Sequence, residues 1–113
     1  MSQIYFDDFS RITNQAELAG ELPEGAISEA SEVLFACYSN NTGWDGHAVV
    51  IFRTAGGALM AWSGGHCSCY GLQEGASGIP PFVLTKDSLP NLGGEASAEA
   101  RQVYDLLAMS LGF

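Results

Sequence analysis

A chain of 113 residues, 47% of them hydrophobic, is sized for one domain with one core, residues 1–113, and is too apolar to be disordered. Thirteen acidic residues against four basic ones give a formal net charge of -9. That balance argues against direct contact with nucleic acid or anionic membranes, which need a cationic face, and favours a basic surface on another protein as partner.

Asn14 is placed to cap a short helix, with Glu17 three residues on in a capping-box arrangement and Gly20 to end it. Leu22-Pro23-Glu24-Gly25 then reads as a turn, and residues 26–31 as one further helical turn. The central third is β. VLFACY at 33–38 is a compact apolar run that ends in a polar turn at 39–43. AVVIFR at 48–53 is β-branched and aromatic, as in a strand buried on one or both faces. Residues 54–57 form a hairpin turn with glycines to supply φ > 0, and 58–62 return as a third strand that Gly64-Gly65 ends. FVLT at 82–85 reads as a short edge strand. Toward the C-terminus, Ala100, Val103, Leu106, Leu107 and 109–111 make an apolar stripe near helical spacing, with Glu95 and Glu99 favourable to the helix dipole at its start. The fold class is therefore α+β: an antiparallel three- to four-stranded meander covered by a C-terminal helix and a short N-terminal helix.

The segment SGGHCSCYGLQE at 63–74 gathers two of the three cysteines and one of the two histidines. Zinc sites favour gaps of two or more residues between paired cysteines, whereas Cys67 and Cys69 are separated by one. A cysteine nucleophile needs a base in reach, but His66 is the immediate neighbour of Cys67, and adjacent side chains on an extended chain point to opposite faces. His47, oriented by Asp45, is the other base to weigh. The structural reading packs small cysteines at the sheet end, with Tyr70 and Leu72 anchoring the loop and Gly71 allowing a tight path. No catalytic residue, metal or cofactor is assigned on this reading. A small metal-binding or thiol-active protein centred on His66, Cys67 and Cys69 stands as the alternative.

The order of a strand at 32–38, a polar turn, a hairpin and then GHCSCYGL at 65–72 resembles small phage and prophage proteins that carry an HCSCYGLE element after a β-hairpin. The resemblance spans residues 32–73. It departs at Gln73, where that group has an acid, and it lacks the tryptophan- and acid-rich stretch that follows there. It implies neither an activity nor a ligand, only a mobile-element origin and a host cytoplasm as the place of action. In that context the acidic surface has the general character of anti-CRISPR-type inhibitors, whose carboxylates stand in for phosphates on a basic site. Glu17, Glu21, Glu24, Glu29 and Glu32 form the densest acidic run, which Asp7 and Asp8 extend. Trp44 beside Asp45, in a polar loop, is a natural interface anchor. A homodimer is a further possibility, because a small sheet leaves edges to cover.

The start, MSQIYFDDFS, has neither the basic nor the apolar region of a signal peptide, no apolar run reaches the ~20 residues of a bilayer span, and three cysteines do not make a disulfide scaffold. These features are those expected of a soluble, cytoplasmic protein.

Overall fold

The computed structural model describes residues 4–39, 46–66, 71–92 and 96–113. Among these residues, five strands form one sheet in the order β1 (Tyr5–Asp7), β2 (Ala30–Ser39), β3 (Gly46–Thr54), β4 (Leu59–His66) and β5 (Phe82–Val83). The helices are α1 (Gln15–Glu21), the single turn α2 (Leu72–Gly75) and α3 (Ala98–Ser110), with a short 3-10 turn at Lys86–Ser88. The class is α+β, as expected, but the sheet is mixed and five-stranded rather than an antiparallel meander. β2 to β5 do run antiparallel in sequence order. The addition is β1, which pairs parallel with β2, Phe6 opposite Cys37. At three residues it is too short to carry a period-two pattern.

Both faces of the sheet are covered, which explains the unbroken apolar run in β3. Ala48, Val50 and Phe52 point to one face, with Val33, Ala36 and Trp62, where Leu18 of α1, Ile27 and the α2 residue Leu72 close over them. Val49 and Ile51 point to the other, with Phe35, Cys37 and Ala61, under Ala100 and Tyr104 of α3 and the returning segment at Leu84 and Leu92. Full burial of a side chain such as Leu18 or Phe35 contributes about 2–3 kcal/mol, so each cover layer holds itself on by a few such residues.

Local signals mostly act as read. Asn14 caps α1, its Oδ1 accepting from the Glu17 amide at 3.0 Å. Gly57 takes φ +89 in the β3–β4 turn. Residues 26–29 form turns rather than a helix, and β2 begins at Ala30. The glycine pair does not end β4: the strand continues through Gly64 and Gly65 to His66, because Gly46, His47 and Ala48 of β3 supply the ladder partners. Neither glycine has positive φ. Gly64 is needed for space, since a Cβ there would lie 2.7 Å from Trp62 Cη2 and 2.9 Å from Ala76 Cβ.

β2 carries two irregularities. Its register with β3 shifts between Ala30 and Glu32 and again between Val33 and Phe35, leaving Ser31 and Leu34 as extra residues. The second shift lets Val33 and Phe35 serve opposite cores while Leu34 packs beside the α3 side.

Candidate functional site

The acidic run is outward but is not one uniform face. Glu17, Glu21, Glu24, Glu29 and Glu32 are all exposed. Glu17 is committed locally: its carboxylate accepts from the Thr13 amide at 3.2 Å and the Thr13 hydroxyl at 3.0 Å, completing the helix cap. Its charge, after burial, also holds the Tyr5 phenol above its ordinary pKa. Glu21 meets Arg11 Nη2 at 3.3 Å, both side chains well solvated, a pair worth about 0–1 kcal/mol. Glu24 and Glu29 lie in the turns between α1 and β2. Glu32 sits on β2 in register with Arg53, on the α3 side of the sheet. Among the described residues, Arg11–Glu21 is the one ion pair within 4.0 Å.

Asp7 does not extend that run. It occupies the left-handed region at φ +57 and turns inward, its Oδ2 accepting from Cys37 Sγ at 3.3 Å and from the Ser97 amide at 3.0 Å. Ser97 is the N-cap of α3, so one carboxylate ties β1, β2 and α3 together. Trp44, Asp45, Cys67, Cys69, Tyr70 and Glu95 lie outside the described residues.

Because Glu17 is part of a cap, it gives a separable prediction. Glu17→Ala should cost about 1 kcal/mol of stability, and Glu17→Gln, which can still accept from Thr13, about half as much, read as shifts of the urea midpoint.

At the His66 end of β4, the ring nitrogen Nε2 is hydrogen-bonded to the Tyr38 hydroxyl. The two rings pack with their planes tilted by 55°, and a Cβ on Gly46 would come within 2.7 Å of His66 Nε2 and 2.6 Å of Tyr38 Cε1. Beside Tyr38 opens a cleft of about 550 Å³ whose walls include Glu21, Gly71, Leu72, Gln73 and Glu74. Gln73 donates its amide N–H to the Gly20 carbonyl and so fastens α2 to the end of α1. Gly71 is the N-cap of α2 with ordinary negative φ, and Leu72 is buried, as the anchoring reading expects. Glu74 joins Glu21 only in three dimensions. The strand-then-loop reading gave no reason to pair positions so far apart in sequence.

His47 lies on the other face. Its Nε2 is 3.0 Å from the Asn91 carbonyl oxygen and 3.1 Å from Ser63 Oγ. A carbonyl can only accept, so Nε2 carries a proton and donates. With that proton in place Nε2 cannot take one from Ser63. The contact resembles a serine–base pair in distance alone; chemically it pins the segment at Asn91 onto the sheet.

Cys37 is buried and inert by its surroundings. Burial first, and then the hydrogen bond to and charge of Asp7, push its thiol up to about 12. Among the described residues, no group of three or more His, Cys, Asp or Glu side chains is placed to hold a metal ion. No described helix is long and apolar enough to cross a membrane. Comparison with protein-family models, with curated proteins and with solved structures returns no match.

Proposed function

We propose that this chain is a non-enzymatic, phage-type acidic interaction protein that inhibits a host defence or nucleic-acid-handling complex by occupying its basic nucleic-acid-binding surface. The observation that carries this reading is the disposition of charge. In a chain of net charge -9, the carboxylates of Glu17, Glu21, Glu24, Glu29 and Glu32 are exposed, and among the described residues an ion pair engages one of them, Glu21. Carboxylates so placed repel phosphates and attract the lysine and arginine residues that bind them. The likeness of the GHCSCYGL segment to phage and prophage proteins supports the same reading through the kind of genome that encodes such chains.

Glu24, Glu29 and Glu32 are the positions to test, since Glu17 is occupied in the helix cap and Glu21 by Arg11. Reversing all three to Lys should weaken capture of a partner from host lysate by at least about tenfold while leaving the thermal melt nearly unchanged. The wild-type affinity should also fall steeply as salt rises, because exposed charges are screened beyond a Debye length of about 8 Å at physiological ionic strength. A partner bound equally well after reversal and at high salt would sink the electrostatic mimic.

A further inference from the structure

α3 presents two different flanks. Tyr104, with Arg101 and Asp105 beside it, faces the segment at Pro90, whose carbonyl accepts from the Tyr104 hydroxyl. On the other flank Val103, Leu106 and Leu107 face Ile4, Phe6 and Leu34 across an apolar groove of about 450 Å³. Leu34 reaches it because the second β2 irregularity makes it the extra residue. The groove runs along β1, the last strand of the sheet on that side. Leu106 is 57% exposed, and Met109, one turn on, is 72% exposed, so the apolar surface extends out along the helix. Neither residue supports the core, and large aliphatic side chains grouped on a surface in this way mark an interaction site.

Charge decides the occupant. Among the described residues the one ionisable side chain in the groove walls is Glu99, in a chain whose net charge is -9. The single base of α3, Arg101, is on the opposite flank, where its Nε donates to the Ala96 carbonyl. A second copy would bring -9 against -9 and Glu99-bearing walls against each other. We infer that the groove between β1 and α3 docks a short segment of another protein that presents a row of aliphatic side chains flanked by lysine or arginine. This goes beyond the phosphate-mimic reading and would hold even if Glu24, Glu29 and Glu32 were inert.

The test uses the full chain, labelled with 15N, and three probes: a short amphipathic Leu/Lys peptide, its Leu/Glu counterpart and the protein alone at rising concentration. The Leu/Lys peptide should saturably shift the amides of Leu34, Glu99, Val103 and Leu106. Leu106→Asp, at an exposed position, should melt like wild type and bind that peptide about tenfold more weakly. Glu99→Gln should weaken it a few-fold and flatten its salt dependence. Shifts confined to residues 24–32, equal affinity for the Leu/Glu peptide, or no loss in Leu106→Asp would each overturn the inference. So would self-association abolished by Leu106→Asp, which would make the occupant a second copy.

Discussion

Gly64→Ala should lower stability by about 2–3 kcal/mol and the melting temperature by about 10 °C. The new methyl would sit 2.7 Å from Trp62 Cη2, 2.8 Å from Trp62 Cζ2 and 2.9 Å from Ala76 Cβ. None of these can retreat easily. Trp62 and Ala76 are fully buried, and the indole is held by donation of its Nε1–H to the Ile79 carbonyl at 2.9 Å. A contrast within the same chain isolates the cause. Gly20→Ala, in the last turn of α1 with nothing within 4 Å, should stabilise by up to about 1 kcal/mol through helix propensity. Coupling gives a second check. In Trp62→Phe the crowding edge of the indole is gone, so Gly64→Ala should cost at least about 1 kcal/mol less there than in wild type. Chemical denaturation of wild type, the two single variants and the double variant reads out the cycle. Additive costs would show that the strain lies in the β4 backbone rather than against Trp62.

That glycine illustrates what the sequence makes legible and what it hides. Gly64-Gly65 after an apolar strand looks like punctuation, because glycine more often serves a turn. Here the glycine is a cavity for a tryptophan two residues earlier, and only the packing across the face shows it. Signals that act over a few residues are readable: the Asn14 cap, the Gly57 turn and the existence of β2, β3, β4, β5 and α3. β1 is not, because three residues carry no period and Phe6 finds its ladder partner only at Cys37. The apolar stripe of α3 is legible at Ala100, Val103, Leu106 and Leu107, but the inward Tyr104 is not part of that reading, and neither is the division of the stripe. Ala100 and Tyr104 go inward while Leu106 and Met109 go out, which depends on where the helix is laid on the sheet. The acidic run shows the same limit. Its members were legible and exposed, yet the Arg11 contact of Glu21 and the Arg53 register of Glu32 are consequences of folding.

The inward acid, Asp7, leads to the second large effect. Between about pH 9 and 12 the chain should lose stability as pH rises, at about 1.4 kcal/mol per pH unit from Cys37 alone. Burial and Asp7 raise the Cys37 thiol from an ordinary 9.0 to about 12, so in this window the native state keeps a proton that the unfolded chain has released. The unfolded state then binds fewer protons, and the equilibrium shifts toward it. Below pH 9 both states hold the proton and the contribution is fully present. The geometry gives the reason: the Cys37 S–H donates to the Asp7 carboxylate that also receives the Ser97 amide, and a thiolate there would face that carboxylate at 3.3 Å. Tyr104, raised by burial and then by Asp105 to about 12 from 10.0, adds to the slope above pH 10. Urea midpoints measured from pH 8 to 11 should fall for wild type, and fall least steeply between pH 9 and 10 for Cys37→Ala, although that variant starts lower at neutral pH from lost packing. Tyr104→Phe should change the slope only above pH 10. An unchanged slope in Cys37→Ala would mean that the thiol is not the group being titrated.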